Sequence, residues 1–317
     1  MPELDLGRLG YGAANIGNLY RALSDEEAGQ ILETAWDCGI RYFDTAPHYG
    51  LGLSERRLGA FLSTKPRSEF IVSTKVGRLL RPNPDGVGRL DDENDFVVPA
   101  DLKRVWDFSA SGLRQSLEES LERLGLDSVD VVYLHDPERH DLARGVDALS
   151  SLAGLRDEGL VSSVGVGSMT TAAMLACARS GVLDLLMVAS RLTLADQSVT
   201  DEVLPECHER GIGIVAAAVF NSGLLASPSP SAASRFDYAP VPADLLARIR
   251  RIASVCGEYG VPLPVAALHY PFQEKAVRCV VVGGASPEQV RENAKNLGAD
   301  VPVELWDRLR DEGLVVA

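Results

Sequence analysis

Four side chains that can exchange or steer protons follow three consecutive apolar segments of the sequence. Asp44 and Tyr49 follow the first segment, Lys75 the second and His135 the third. Polar groups are costly to bury without partners, so Asp44 and Lys75 would pair if the three segments end at one place. That pair would bracket Tyr49, whose phenol has an ordinary pKa of about 10. A neighbouring ammonium favours the phenolate and lowers this pKa, which makes a tyrosine usable for acid–base chemistry.

The elements that must position these residues alternate regularly along the chain. Eight short, apolar, β-rich runs are predicted to be strands: Arg8–Ala13, Ile40–Thr45, Phe70–Thr74, Val129–Leu134, Val161–Val166, Asp184–Ala189, Ile212–Ala217 and Arg278–Val282. Longer stretches between them carry apolar residues at three- and four-residue steps, which predicts helices over Asp25–Cys38, Ser109–Leu124, Leu142–Glu158, Thr170–Arg179 and Thr200–Arg210. Helix-opening signals at Ser24 and Ser286 agree with this division.

This alternation predicts an α/β fold with a parallel sheet. Eight units of roughly 40 residues each favour a closed (β/α)8 TIM barrel over an open doubly wound sheet. An open dinucleotide-binding sheet would show a GxGxxG turn after its first strand, and residues 10–15 lack the third glycine. We therefore expect one barrel domain over residues 1–317. The C-terminal ends of its strands would face a shared pocket that contains the four proton-handling side chains.

Two segments interrupt the plain repeat. Residues 79–103 contain several prolines, glycines and acidic residues, and residues 227–242 are rich in Pro, Ser and Ala. Each segment follows a predicted strand on the face of the barrel that carries the shared pocket. Loops over an active site and tolerated surface insertions both fit this composition. Neither segment marks a domain boundary, because the repeat resumes in phase after it.

Three motifs resemble the signatures of the aldo-keto reductase family, in the family's order and approximate spacing. They are FDTAPHYG at 43–50, STKV at 73–76 and YLHD at 133–136. The resemblance covers nearly the whole chain and implies an Asp–Tyr–Lys–His tetrad at Asp44, Tyr49, Lys75 and His135. It implies that Tyr49 is the proton donor or acceptor, that Lys75 and Asp44 tune its pKa, and that His135 orients the reacting oxygen.

A closer resemblance is to a sugar-dehydrogenase branch of the family, which includes L-fucose, L-galactose and D-threo-aldose dehydrogenases and a pyridoxal dehydrogenase. The shared stretches are residues 17–20, 50–57, 74–80 and 220–225. The chain also departs from the wider family. Gly167–Met169 stands where many members carry Ser-Asn at the nicotinamide carboxamide, and Phe220 is the nearest counterpart of the tyrosine that stacks on nicotinamide. Arg191 replaces a common glutamine region, and a substrate, cofactor or structural role for it stays open.

The resemblance also implies a dinucleotide cofactor. Residues 282–293 end a strand and open a helix, and the N–H groups at a helix N-terminus are a natural phosphate seat. In the family, residues like Asn221–Gly223 cover the pyrophosphate, and residues like Glu292 and Asn293 hold the adenine ring. The cofactor-binding residues predicted in this way are Ser168, Phe220, Asn221, Ser222, Gly223, Leu225, Gly283, Gly284, Ser286, Gln289, Glu292 and Asn293.

The same segment predicts which dinucleotide binds. Relatives that prefer NADPH place a basic residue at the position of Gly283 and an arginine at Gln289, because the 2′-phosphate needs a cationic partner. This chain has neither, and Arg291 is the basic residue left nearby in the segment. NAD is therefore the predicted cofactor, with NADP as the alternative.

Composition restricts partners and location. The net charge of -14, from 45 acidic and 31 basic residues, argues against nucleic acid or an anionic membrane as a partner. Five cysteines and five histidines lack metal-ligand spacing, which predicts buried free thiols and no metal site. The first residues show no secretory signal, and no apolar run is long enough to span a membrane, so we expect a cytoplasmic protein.

These features together predict an NAD(P)-dependent oxidoreductase that oxidises an aldose of the L-fucose, L-galactose or D-threo-aldose type at C1 to the lactone. Its partner would be a small-molecule substrate, and a monomer and a homo-oligomer both remain open. The alternatives are an NADPH-dependent aldehyde or ketone reductase and a pyridoxal 4-dehydrogenase. A third alternative, from another class, is a non-enzymatic, cofactor-sensing barrel that regulates a partner protein, and the intact tetrad argues against it.

Overall fold

The computed structural model describes residues 4–237 and 239–316, so residues 1–3, Tyr238 and Ala317 lie outside the description that follows. Eight parallel strands close into a barrel in which each strand pairs with the next and the last pairs with the first. They are β1 (Leu9–Gly12), β2 (Tyr42–Asp44), β3 (Ile71–Val76), β4 (Val129–His135), β5 (Val161–Ser168), β6 (Leu185–Ala189), β7 (Gly213–Ala217) and β8 (Val277–Val282). The predicted (β/α)8 TIM barrel is confirmed.

Helices cover the outside of the barrel. They are α1 (Asp25–Asp37), α2 (Leu53–Leu62), α3 (Ala110–Leu124), α4 (Leu142–Asp157), α5 (Thr171–Ala178), α6 (Val203–Arg210), α7 (Ala243–Glu258), α8 (Leu263–His269), α9 (Pro287–Leu297) and α10 (Val303–Asp311). The predicted opening of α1 is confirmed as a capping box. The Ser24 hydroxyl accepts from the N–H of Glu27, and the Glu27 carboxylate accepts from the N–H of Ser24.

The hydrophobic core divides into an inner and an outer layer because side chains alternate along each strand. On β4, Val131 and Tyr133 point into the barrel, whereas Val132 and Leu134 point outward and pack among the buried residues beneath the helices. Other inward-facing residues come from neighbouring strands, and they include Tyr42, Leu185, Met187, Val215, Cys279 and Val281. The interior is therefore filled, and ligands have access only at the ends of the strands.

The segment predicted as a long loop at 79–103 is an ordered arm. Arg78–Pro82 pairs antiparallel with Leu102–Trp106, and Leu90–Asp91 pairs with Phe96–Pro99 inside that ribbon. Phe96, Val98, Leu51 and Leu80 form a small buried cluster against which Tyr49 packs. The arm thus lies against the candidate acid–base residue, as expected for a segment over the pocket.

The second interruption, at 227–242, contains a short antiparallel pair of Arg235–Phe236 with Ala239–Pro240, and its Tyr238 lies outside the described residues. In the described chain no helix is both long enough and apolar enough to cross a membrane. Of the five cysteines, Cys177, Cys207, Cys256 and Cys279 are buried free thiols and Cys38 is a half-buried one.

Candidate active site

The ends of β2 and β3 and the loop after β2 bring Asp44, Lys75 and Tyr49 together around the Lys75 ammonium. Asp44 is the last residue of β2 and Lys75 lies near the end of β3, and both side chains are almost fully buried. The Lys75 ammonium lies 2.6 Å from Asp44 Oδ2, donates to the carbonyl of Thr45 at 3.0 Å and donates to the Tyr49 hydroxyl at 3.2 Å. The three residues that the sequence placed at one site therefore share a hydrogen-bonded cluster.

His135, at the end of β4, completes the predicted set. Its ring centre lies 6.0 Å from that of Tyr49, and the two rings are nearly perpendicular at 88°. His48 packs against both rings, with its ring centre 5.6 Å from that of His135 and 6.1 Å from that of Tyr49. The side chain of His135 is buried, so a substrate oxygen between it and Tyr49 would be shielded from water.

The site keeps its lysine charged and its histidine neutral. Burial by itself lowers the pKa of Lys75, but Asp44 and Tyr49 outweigh it and hold that pKa above the ordinary value. Burial, reinforced by the positive charges of Arg78 and Lys75, holds the pKa of His135 well below the ordinary value. At neutral pH the cluster thus offers an ammonium and a neutral imidazole.

The expected lowering of the Tyr49 pKa is wrong for this structure as a net direction. Burial raises the pKa of the phenol more than the Lys75 ammonium lowers it, and the Asp44 carboxylate raises it further. The sequence argument considered the ammonium without the desolvation that accompanies it. Lys75 still acts in the expected direction, so its removal would raise the pKa of Tyr49 further.

Two buried networks brace the cluster, and neither was predicted. The Ser73 hydroxyl donates to Asp44 Oδ1 at 2.7 Å and lies 3.0 Å from the Tyr42 hydroxyl, which connects the carboxylate to the barrel interior. Glu55, fully buried on α2, accepts from Thr74 at 2.7 Å and from Arg123 at 2.6 Å. Because Thr74 precedes Lys75, this second network fixes β3 against α2 and α3.

The loop that carries Tyr49 is held by a close contact between two glycines. A Cβ atom on Gly17 would lie 2.8 Å from the carbonyl carbon and oxygen of Tyr49, and one on Gly50 would lie 2.1 Å from the oxygen of Gly17. No side chain fits between these two backbones. The loop after β1 therefore sets the position of Tyr49 through backbone packing.

Two charged residues beside His135, Asp136 and Arg78, lie within the stretches shared with the family, and no role was predicted for them. Asp136 follows His135 directly, and its Oδ2 lies 2.6 Å from the Arg78 guanidinium and 3.6 Å from His135 Nε2. Arg78 also lines a cavity of about 680 Å³, together with Asp91, Arg104, Trp106 and Arg139. This volume lies within the range of small-molecule sites, which is about 300–1,000 Å³.

At the end of β8, Ser286 caps α9 by accepting from the N–H of Gln289 at 3.4 Å. The Gln289 side chain in turn accepts from the N–H of Ala285 at 2.8 Å, and Asn293 donates to the carbonyl of Gly283 at 3.2 Å. The structure thus gathers Gly283, Gly284, Ser286, Gln289 and Asn293 at one helix N-terminus, with Glu292 exposed on the same helix. Sequence reasoning missed Arg21, which reaches this segment from the β1–α1 loop and donates to the carbonyl of Ala285 at 3.1 Å.

At the end of β7, Asn221 is fully buried in a left-handed conformation with φ +44°. Its Nδ2 donates to the carbonyl of Ser190 at 3.1 Å, and its Oδ1 has no hydrogen-bond partner among the described residues. A buried acceptor without a donor fits a polar ligand such as the predicted dinucleotide. Ser222 and Gly223 follow it at positive φ, and half-buried Phe220 precedes it.

Two predicted cofactor residues are engaged elsewhere in the protein. The Leu225 side chain is fully buried in the core, which leaves only its backbone for a ligand. The Ser168 hydroxyl, at the end of β5, donates to Glu138 at 2.7 Å. In the described part of the chain, no group of three His, Cys, Asp or Glu side chains is placed to hold a metal ion.

Arg191, whose role the sequence left open, ties three loops together. It donates to the carbonyl of Met169 at 2.8 Å and forms ion pairs with Asp196 at 3.2 Å and Asp237 at 2.7 Å. Met169 follows β5, and Asp237 belongs to the 227–242 segment. By joining these segments Arg191 has a structural role.

Comparison with known proteins agrees with this architecture. The sequence profile of the Aldo/keto reductase family matches residues 8–311. The chain is 55% identical over 314 residues to D-threo-aldose 1-dehydrogenase from a Pseudomonas species, which covers 98% of this chain and 95% of the relative. It is 37% identical over 329 residues to pyridoxal 4-dehydrogenase from Microbacterium luteolum, with the same two coverages, 98% and 95%. The solved structure of a glycerol dehydrogenase from Gluconobacter oxydans superposes with a TM-score of 0.75 at 21% identity, covering 98% of this chain and 93% of the other, and supports the fold alone.

Proposed function

The chain belongs to the aldo/keto reductase family, and we propose that it oxidises an aldose at the anomeric carbon to the lactone, with NAD as the hydride acceptor. The observation that carries the proposal is the contact of Lys75 with Tyr49, beside a neutral His135. This arrangement supplies a proton acceptor and a hydrogen-bond donor for one substrate oxygen. The substrate class is taken from the relative that is named a D-threo-aldose 1-dehydrogenase and is 55% identical.

The reaction removes a proton from the anomeric hydroxyl and a hydride from the anomeric carbon, and a lactone carbonyl remains. A bound nicotinamide ring would supply the hydride-accepting carbon. Tyr49 in its phenolate form takes the proton, and the Lys75 ammonium, 3.2 Å away, stabilises that phenolate before the transfer. His135 donates a hydrogen bond to the same substrate oxygen, which stabilises the charge that develops there in the transition state.

The residues that would hold the dinucleotide lie at the ends of β7 and β8. Asn221 offers an unpartnered buried acceptor, and the N-terminus of α9, capped by Ser286, offers backbone N–H groups for a phosphate. Neither Gly283 nor Gln289 carries a positive charge that could pair with the 2′-phosphate of NADP, which supports NAD as the cofactor. Arg21 reaches this segment and Arg291 lies on α9, and each already forms an ion pair with a nearby glutamate, Glu27 or Glu288.

The proposal is tested by assaying free aldoses of the D-threo, L-fucose and L-galactose types with NAD and with NADP, while NADH and lactone are followed together. We expect equal amounts of NADH and lactone from at least one of these aldoses. Turnover of simple aldehydes with NADPH and of none of the sugars would overturn the proposal in favour of a carbonyl reductase.

Pyridoxal oxidation is the second candidate, because the relative named pyridoxal 4-dehydrogenase is 37% identical over nearly the whole chain. It uses the same four residues, since a hemiacetal hydroxyl of pyridoxal loses a proton and a hydride in the same way. Pyridoxal belongs in the same assay, and a kcat/KM for pyridoxal above that of every aldose would select this candidate.

A further inference from the structure

Asp136 adopts a backbone conformation that residues other than glycine rarely adopt. It has φ +44° and ψ +60°, directly after His135 at the end of β4. Such conformations persist where the surrounding structure fixes them. Here the N–H of Asp136 donates to the carbonyl of Gly167 at 2.8 Å, which holds the turn. The turn carries the Asp136 carboxylate back toward the ring of the histidine that precedes it.

Arg78 meets this carboxylate from the neighbouring strand. Gly77, at φ +103°, turns the chain at the end of β3, and a Cβ atom there would lie 2.7 Å from the ring of Phe108. The Arg78 guanidinium is nearly buried, lies over the ring of Trp106 and forms an ion pair with Asp136 at 2.6 Å. Two opposite charges are thus buried together next to His135.

The distances define what this pair does to the imidazole. Asp136 Oδ2 lies 3.6 Å from His135 Nε2, which is too long for a hydrogen bond but close enough for a strong electrostatic influence. A carboxylate at this position favours a proton on Nε2 over a proton on Nδ1. Because it does not accept that proton in a hydrogen bond, the N–H stays free for a substrate oxygen.

We propose that Asp136 and Arg78 are a positioning pair that holds His135 as the neutral tautomer with its proton on Nε2. The use of that N–H toward a reacting oxygen rests on the proposed function. Neither Asp136 nor Arg78 touches the reacting atoms in this role. Asp136 selects the tautomer. A carboxylate alone would also stabilise the doubly protonated imidazolium, and the positive charge of Arg78 cancels that effect.

The other charged and titratable groups around His135 agree with a neutral ring. Lys75 and Arg139 add positive charge, and His48 and Tyr49 face the ring from the loop after β2. Burial and these positive charges hold the pKa of His135 well below its ordinary value. The Asp136 carboxylate, 3.6 Å from Nε2, adds a preference for a proton on that nitrogen.

The test is a histidine ¹⁵N NMR titration of the full-length protein without ligand, over about pH 5 to 8, where an ordinary histidine titrates. The signal of His135 is assigned by its loss in His135→Gln. In the wild type we expect a neutral Nε2–H tautomer throughout. Asn is chosen to replace Asp136 because asparagine also tolerates the left-handed turn. In Asp136→Asn the Arg78 charge is unopposed and favours the tautomer with a lone pair on Nε2, so we expect the proton on Nδ1.

Arg78→Met has the opposite effect. The unopposed Asp136 carboxylate raises the pKa of His135, so imidazolium appears as the pH falls, and kcat falls more steeply toward low pH than in the wild type. In the double variant both charges are gone, so this added steepness disappears and kcat recovers above that of Asp136→Asn. Arg78→Lys keeps the charge and should keep the wild-type tautomer and pH profile.

Arg81→Met is the matched control, because Arg81 lies on the same ribbon but pairs with Glu119. It should leave the His135 signals unchanged. Asp136→Asn should lower kcat about tenfold or more with an unchanged KM for NAD, as expected for a group that acts only on the chemical step. If Arg78→Met does not fold, Arg78→Lys and the double variant still carry the test.

Three results would overturn the proposal. They are an Nδ1–H tautomer in the wild type, a tautomer unchanged in Asp136→Asn, and equal activity losses in both single variants with an unchanged pH profile. The NMR measurement needs no substrate. A protein that oxidises no aldose but shows the expected tautomers would contradict the proposed function and leave the positioning pair intact.

Discussion

The ammonium nitrogen of Lys75 lies 3.2 Å from the phenolic oxygen of Tyr49 and donates a hydrogen bond to it. The same ammonium pairs with Asp44 at 2.6 Å, and this partner keeps it charged inside the barrel. A buried carboxylate alone would oppose the phenolate, and a buried ammonium alone would be costly. The order Asp44, Lys75, Tyr49 therefore places the positive charge where it acts on the phenol.

Removal of the Tyr49 hydroxyl should abolish most turnover. Tyr49→Phe keeps the ring and its packing, and general acid–base catalysis is worth about 10²–10⁴-fold, so kcat should fall by at least the lower figure. Dinucleotide binding, measured by fluorescence titration, should be retained. Tyr259→Phe, at the end of α7, is the control and should keep wild-type turnover. A Tyr49→Phe enzyme with a tenth of wild-type kcat would rule out Tyr49 as the acid–base residue.

Lys75→Met should shift the pH profile of oxidation to higher pH and lower its maximum. Oxidation needs the phenolate, so its rate rises with pH through the pKa of Tyr49. Burial already raises that pKa and Lys75 lowers it, so the variant raises it further. Lys275→Met, at an exposed residue just before β8, is the control. A lower rate with an unchanged profile would mean that Lys75 only positions its neighbours.

A methyl group at Gly17 should disturb catalysis through the backbone of Tyr49. The added Cβ would lie 2.8 Å from the Tyr49 carbonyl, so the loop must shift, at a stability cost of about 1–3 kcal/mol. Misplacement of a catalytic group by about 1 Å can cost 10²-fold, so we expect Gly17→Ala to lower kcat about 10- to 100-fold.

Gly29→Ala is the matched control for that variant. Nothing lies within 4 Å of an added Cβ at this position inside α1, and alanine should stabilise the helix by about 0.5–1 kcal/mol. Urea denaturation and kcat measured on both variants separate the two effects. Full turnover in Gly17→Ala would show that the two loops adapt without moving Tyr49.

Cofactor preference should follow the residues at the start of α9. With no cation at Gly283 or Gln289, we expect kcat/KM for NAD to exceed that for NADP at least tenfold, about 1.4 kcal/mol. Gln289→Arg should narrow this ratio. A lysine at 283 is a poorer test, because its Cβ would lie 2.4 Å from Asn15 Oδ1 and displace that side chain. Equal efficiency in the wild type, with NADP use lost in Arg21→Ala or Arg291→Ala, would assign the preference to those arginines.

Local patterns carried most of the fold prediction. The β-rich runs are continuous apolar stretches of the kind found in buried parallel strands, so all eight barrel strands fall within a few residues of the predicted runs. The arm at 79–103 was predicted as a loop because its pairing is not local. Arg78 pairs with Trp106 across an intervening turn and a second ribbon, and no periodicity within the segment reveals that register.

In the site, too, local features were predictable and long-range contacts were not. Asp44, Lys75 and His135 were predictable because each ends a buried strand, where a polar side chain needs a partner. The supporting pairs were missed because they join residues far apart in the sequence. Arg123 lies 68 residues from Glu55, Arg78 lies 58 from Asp136, and Arg21 lies 264 from Ala285. Only the closed barrel brings these residues together.

The central claim, hydride transfer from the anomeric carbon with Tyr49 as the base, is tested most directly with an aldose that carries deuterium at C1. The reaction is run with NAD, and the reduced dinucleotide and the sugar product are analysed by mass spectrometry. We predict one deuterium in the reduced nicotinamide, a lactone without deuterium, a primary isotope effect on single-turnover rates, and loss of the transfer in Tyr49→Phe. Deuterium retained in the sugar or released to water, or transfer undiminished in Tyr49→Phe, would contradict the account.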